Sequence, residues 1–195
     1  MAPGHRFPTQ IEEEYDAACW AAGPGHGWDG ARLCVGGQSA GGALAAGAAR
    51  LALEQDGPAL ALQVLHYALL DLATPNRDKH YAGEPLISLP VEKVFDAAYL
   101  PSAAARLDRL ASPAWGPNAE GIAGIAPALV ITCELDQLHD EGVAYAGSLA
   151  AVGALREHLD LMGTSHGYDQ YVKDRALVEG SYAVIAKHVI AATAD

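Results

Sequence analysis

The residues able to do chemistry begin with Ser39, the centre of GQSAG at residues 37–41. An apolar run precedes this pentapeptide and an Ala- and Leu-rich segment follows it, so it falls between a predicted strand and a predicted helix. A nucleophile on so sharp a turn needs neighbours without side chains, and Gly37 and Gly41 are expected to let strand and helix approach while Ser39 projects outward. Gly42 gives further clearance. The same turn aims the backbone N–H of Ala40, at the positive end of the helix, where a developing oxyanion would lie. The plainer alternative is a glycine-rich turn in which Ser39 serves as a helix N-cap.

A serine hydroxyl is too weakly acidic to attack an ester unaided, so it requires a base within hydrogen-bond reach and a third group to orient that base. In parallel α/β sheets ligands bind beyond the carboxyl ends of the strands, which directs attention to residues just after later strands. Asp136, in CELDQLHDEG, follows a predicted strand at 128–133; His166, in GTSHGYD, follows one at 155–161. Asp140 is the nearest rival for the acid, but its place suits the N-cap of a helix starting at Glu141, so Asp136 is preferred. His66 and His158 fall inside strands, His188 inside a helix, His5, His26 and His80 in loops or near the terminus, and His139 beside Asp136. No pair of these has metal-ligand spacing with a supporting carboxylate or cysteine, so neither a metal nor another cofactor is expected.

The elements that must position these residues read as strands alternating with helices. Helix is predicted over 11–22, strand over 31–36, helix over 40–55, and strand from 60 to 70 with its end running into a loop. Beyond the strand at 128–133 come a helix at 141–151, the strand at 155–161 and a terminal helix at 181–192. Such alternation implies an α/β fold, a mostly parallel sheet with helices on both faces. Residues 75–117, rich in proline and mixed charge with one helical patch at 91–99, read as a lid-like insertion. Its Leu86, Ile87, Leu89, Phe95 and Tyr99 are candidates for an apolar acyl or alcohol pocket, against plain surface packing.

A formal net charge of −12 at pH 7 excludes nucleic acid as an expected partner, because that binding depends on Lys and Arg neutralising phosphates. Cys19, Cys34 and Cys133 are an odd set in apolar runs, as expected of free thiols in a reducing cytoplasm. Neither a signal peptide nor a membrane-spanning run is read in the sequence, so the expected location is cytoplasmic.

Five stretches, APGHRFPTQ, GGQSAGG, LQVLHYALLD, ELDQLHDEG and SHGYD, occur in an order that resembles the hormone-sensitive-lipase-like family of α/β-hydrolases, which are esterases and lipases. The resemblance implies Ser39 as nucleophile, Asp136 as orienting acid and His166 as general base. It also marks departures. The family's HGGG oxyanion loop has no counterpart here, GPGHG at 23–27 leads into a strand and cannot replace it, and Gln38 stands where the family often has an acid. Residues 1–195 are therefore expected to form one partial α/β-hydrolase domain, truncated at its N-terminus relative to the family, with the strand at 31–36 exposed at a sheet edge and open to self-association. The implied function is a serine carboxylic-ester hydrolase acting on short esters through an acyl-enzyme. The alternatives are a catalytically incompetent relative that binds a partner, and a peptidase or acyltransferase using the same triad.

Overall fold

The computed structural model describes residues 2–80, 82–83, 87–170 and 174–194. Four strands, β1 (Leu33–Gln38), β2 (Leu60–His66), β3 (Ala128–Cys133) and β4 (Leu155–Leu161), form one parallel sheet in the order β1-β2-β3-β4. The sequence pattern explains that order. β3 reads ALVITC and is buried along its whole length, and β2 is nearly so; both are apolar on both faces, as interior parallel strands must be. β4, LREHLDL, alternates polar with apolar residues and lies outside. At the other end β1 pairs with β2, the strand order placing it at a sheet edge among the described residues.

Among the described residues five α-helices accompany the sheet: α1 (Thr9–Ala22), α2 (Ala40–Glu54), α3 (Leu89–Tyr99), α4 (His139–Ala151) and α5 (Arg175–Thr193). Successive strand residues point to opposite faces, and the two apolar sets meet different helices. On one face Leu65, Ala128 and Val130 pack with Ala45, Ala46 and Ala49 of α2 and with Tyr145 and Leu149 of α4. On the other, Leu62, Val64, Leu129 and Ile131 meet Leu177, Val184, Ile185 and Val189 of α5. The expected α/β arrangement, with helices on both faces, is therefore what these residues form.

Several element boundaries differ from the sequence reading, β1 lying at Leu33–Gln38 instead of 31–36, and two helix starts differ for a visible local reason. α5 begins at Arg175 instead of 181, because the Asp174 carboxylate accepts the Leu177 N–H at 3.0 Å and caps an earlier turn. α4 begins at His139, after Leu138 and without a side-chain cap, so Asp140 lies inside the first turn. The capping role expected of Asp140 is absent; its Oδ1 instead bonds His139 Nδ1 at 2.9 Å.

Residues 75–117 are fastened to the body at several points. Leu100, Leu110 and Ala111 join Phe7, Ile11 and Leu51 in a second apolar cluster. Ser112 Oγ accepts the Leu72 and Ala73 N–H groups at 2.8 and 2.9 Å, and Arg106 donates to the Leu72 carbonyl at 2.9 Å. The candidates for an apolar pocket in this segment are spread over different surroundings. Tyr99 packs edge-on against Phe7, with ring centroids 5.8 Å apart, while Phe95 is exposed and Ile87 half-buried. Leu86 lies outside the described residues, as does the side chain of Leu89. No helix among the described residues is long and apolar enough to cross a membrane. The three cysteines are free, Cys133 buried and the other two half-buried.

One of these fastenings is ionic. Lys79 pairs with Glu141 of α4, and both side chains are nearly inaccessible. Glu141 Oε1 accepts the Leu70 and Asp71 N–H groups, and Lys79 also donates to the Asp71 carbonyl at 2.7 Å. Burial pushes the Glu141 carboxyl towards its neutral form, whereas Lys79 and the two backbone donors favour the charged one. Removing one partner of such a pair strands the other charge, so Lys79→Met is expected to cost about 3–5 kcal/mol in urea unfolding. The double variant Lys79→Met/Glu141→Leu should recover a substantial part of that loss, because it leaves no unpaired charge behind.

Candidate active site

The turn after β1 is where sequence and geometry first converge. Ser39 adopts φ 54° and ψ −118°, in the positive-φ region that L-residues avoid and that costs about 1–3 kcal/mol to hold. Four backbone hydrogen bonds pin it. Its N–H donates to the His66 carbonyl at 3.0 Å, and its own carbonyl accepts Gly42, Ala43 and Leu69 N–H groups at 3.0–3.2 Å. Clearance is supplied by Gly37 and Gly42, two of the three glycines expected to give it. A Cβ on Gly37 would lie 2.4 Å from the Gly41 carbonyl carbon, and one on Gly42 would lie 2.5 Å from the Ala68 Cβ. A Cβ on Gly41 would meet nothing within 4 Å, so the close approach rests on Gly37 and Gly42.

The structure brings Ser39, Asp136 and His166 together. His166 Nε2 lies 2.9 Å from Ser39 Oγ, and Nδ1 lies 2.7 Å from Asp136 Oδ2. Asp136 is 2 % exposed, and its other oxygen accepts the Leu138 N–H at 3.1 Å. Since an ionised carboxylate can only accept, Nδ1 carries the proton and Nε2 is left to receive one from the serine hydroxyl. Ala40 opens α2, where the first N–H groups lack partners within the helix, and it is exposed next to Ser39. The arrangement can deprotonate a hydroxyl and hold the resulting imidazolium against a buried carboxylate.

The other candidates lie elsewhere or do other work. Asp140 bonds His139 and has no contact with His166 among its hydrogen bonds. GPGHG precedes β1 and so lies towards the opposite end of that strand from Ser39; there His26 stacks on Trp28 at a centroid distance of 4.4 Å. Tyr67, unremarked in the sequence, has φ 37° and packs its ring on His166 at 4.7 Å. Nothing local signals that contact, although Tyr67 follows a strand end as the acid and base do. His66 is a buried core histidine whose Nε2 lies 3.1 Å from the Tyr168 hydroxyl.

Comparison with known proteins extends these observations. A family model described as alpha/beta hydrolase fold matches residues 1–170. The chain is 32 % identical over 172 residues to the carboxylesterase NlhH of Mycobacterium tuberculosis, covering 86 % of this chain and 54 % of that protein. It is 34 % identical over 172 residues to ethyl acetate hydrolase of Pseudomonas putida, covering 86 % and 53 %. Among solved structures, an esterase of Pyrobaculum calidifontis superposes with a TM-score of 0.86 at 31 % identity, over 100 % of this chain and 64 % of that one. A thermostable esterase from Pseudomonas putida ECU1011 gives 0.86 at 32 % identity, over 98 % and 61 %. The chain thus spans about half the length of these curated relatives and under two thirds of these solved structures.

The buried His66 makes stability depend on pH. Burial pushes its pKa down to about 4, against the pull of the Asp169 carboxylate, from an ordinary value near 6.5. Between those values the unfolded chain binds the proton that the folded chain refuses, so the contribution is complete above pH 6.5 and is lost as pH falls towards 4. The linkage amounts to roughly 3 kcal/mol for a shift of this size. Urea unfolding at stepped pH should show this loss in the wild type and a shallower one in His66→Gln.

Proposed function

The chain belongs to the α/β-hydrolase fold family, and from that membership we propose that it is a serine carboxylic-ester hydrolase. The observation that carries the reading is the continuous line of hydrogen bonds from Ser39 Oγ through His166 to Asp136, at 2.9 and 2.7 Å, built from three different strand ends. Ser39 is the nucleophile, His166 the general base and Asp136 the group that fixes the imidazole tautomer. As Ser39 Oγ attacks the ester carbonyl carbon, its proton passes to His166 Nε2; the tetrahedral intermediate collapses to an acyl-enzyme as His166 returns that proton to the departing alcohol. Water, deprotonated by His166, then releases the acid. The Ala40 N–H contributes to stabilising the oxyanion, and Gly37 and Gly42 allow the turn that places it. The hydrolase names of the relatives, ethyl acetate hydrolase among them, support an ester substrate with a small acyl group.

A second reading, a partner-binding relative without catalysis, is favoured by one observation: β1 pairs on one side with β2 and is an outer strand of the described sheet. The same edge supports self-association of a catalytic chain, which size-exclusion chromatography at rising concentration would report as growth in apparent mass.

An organophosphate probe separates the two. Stoichiometric labelling that disappears in Ser39→Ala supports the hydrolase, and an unlabelled wild type supports the partner-binding reading. With p-nitrophenyl acetate, Ser39→Ala and His166→Ala should each remove nearly all turnover, and the double variant should be no worse than either, because the residues act as a unit. Asp136→Asn should keep the fold and lower kcat by about 10⁴-fold through the wrong imidazole tautomer. Asp140→Asn should cost far less; the reverse ranking would move the acid role to Asp140.

A further inference from the structure

The loop that carries His166 is held from two sides, and the two holds differ in kind. Its first half is held through its own backbone: Leu135 N–H donates to the Thr164 carbonyl at 2.8 Å, and Gly163 N–H donates to the Glu134 side-chain Oε2 at 2.6 Å. Among the described residues, its second half reaches the nucleophile's strand through the Asp169 side chain. Asp169 Oδ1 accepts the Tyr67 hydroxyl at 2.7 Å. Oδ2 accepts Gln38 Nε2 at 2.6 Å and the Tyr182 hydroxyl at 2.7 Å, and Gln38 Nε2 also donates to the Tyr182 oxygen at 2.8 Å.

Gln38, Tyr67 and Asp169 are each joined to the reacting pair. Gln38 is the residue before Ser39 in the strained turn. Tyr67 follows His66, whose carbonyl holds the Ser39 N–H, and its ring packs on the His166 imidazole. Asp169 is three residues beyond His166 in the same loop, and Gly163 and Gly167, both at positive φ, flank the base. One carboxylate therefore closes a ring through the nucleophile's turn, the end of β2, the base's loop and α5. Polarity is matched around it: Gln38, Tyr67 and Tyr182 all donate and Asp169 accepts. An acid at position 38, where the resembled family often has one, would set two carboxylates against each other. The site keeps Asp169 ionised: burial alone would raise its pKa, but the Tyr182 and Tyr67 hydroxyls more than offset that and hold it below the ordinary carboxylate value.

We propose that Asp169, matched to Gln38 and Tyr67, is a positioning residue that sets the separation and alignment of Ser39 Oγ and His166 Nε2. The inference rests on the serine-hydrolase reading. Misalignment on the order of 1 Å in such a pair costs about 100-fold in rate.

An isosteric swap tests it. Gln38→Glu sets a second carboxylate against that of Asp169, and Asp169→Leu removes the acceptor that Gln38, Tyr67 and Tyr182 share. Each single variant should therefore slow kcat on p-nitrophenyl acetate and the rate of organophosphate labelling by about 10- to 100-fold, with KM within about twofold. In Gln38→Glu/Asp169→Asn the polarity is reversed but matched. The amide at position 169 donates to the carboxylate at position 38, the Tyr182 hydroxyl donates to that same carboxylate, and the Tyr67 hydroxyl donates to the amide carbonyl. Both rates should return to within about fivefold of wild type. Tyr67→Phe, which keeps the ring on His166 and deletes one bond, serves where Asp169→Leu does not fold, and should slow both rates by about 3- to 10-fold. Rates are taken per folded molecule, with thermal unfolding alongside. A role in stability alone would move Tm and leave kcat and labelling unchanged, which overturns the proposal. So would a double variant as slow as the slower single one. An unlabelled wild type overturns the hydrolase reading and this inference together, whereas a labelled wild type with an equally reactive Asp169→Leu overturns this inference alone.

Discussion

The parallel register of the four strands is the constraint on which the rest of the site depends. Gln38 of β1 is opposite His66 of β2, His66 is opposite Ile131 of β3, and Cys133 of β3 is opposite Leu161 of β4. All four strands thus finish along one rim, and the chain turns off that rim at Ser39, Tyr67, Asp136 and the loop bearing His166. Neighbouring parallel strands lie about 4.8 Å apart, so residues that leave adjacent strand ends are already within side-chain reach of one another. Antiparallel pairing of the same sequences would send alternate termini to opposite edges. The burial that makes β2 and β3 interior strands is therefore also what assembles the triad.

Once the rim exists, the cost is concentrated in one residue. Ser39 sits in a backbone conformation disfavoured by about 1–3 kcal/mol, yet each of its four backbone hydrogen bonds contributes about 0.5–1.5 kcal/mol. Two of those bonds run to the β2 end, to the His66 carbonyl and from the Leu69 N–H. Strain at the nucleophile is thus offset by the neighbouring strand and not by the helix alone. That coupling explains why the segment after β2 is so heavily tied down. Glu141 holds Leu70 and Asp71, Ser112 holds Leu72 and Ala73, and a slip of this segment would be transmitted directly to Ser39.

Features with a local physical cause were legible in the sequence, and features made by tertiary contact were not. The apolar runs of β2 and β3 announce buried strands; GQSAG between strand and helix announces the turn; Asp136 and His166 follow strand ends. The start of α5 at Arg175 is signalled by its capping residue Asp174 but obscured by the charged and Gly-containing stretch that follows. Asp140 looked like a cap because it precedes an apolar helical pattern, yet the chain had already turned helical at His139. Gly41 shows a subtler limit: the spacing of the motif identifies which residues lie close, but only coordinates show that position 37 and not 41 would carry the colliding Cβ. The ring around Asp169 joins residues more than 100 positions apart in the chain, and no spacing rule reaches that far.

The histidines show why placement alone decides chemistry in this molecule. His66 is as close to the rim as a base needs to be, but burial keeps it neutral and its Nε2 faces the Tyr168 hydroxyl. His139 lies between Asp140 and Asp160; burial would lower its pKa, yet the two carboxylates hold it above the ordinary value, which favours a resident proton over an open acceptor. His188 is bonded to Glu157 on the flank of β4. Among the described residues, His166 has a serine hydroxyl on one ring nitrogen and a buried carboxylate on the other. Proton transfer demands both, because the carboxylate without the hydroxyl only stabilises a cation, and the hydroxyl without the carboxylate leaves tautomer and orientation unfixed. The sheet supplies the meeting point, and the loop anchors determine which imidazole occupies it.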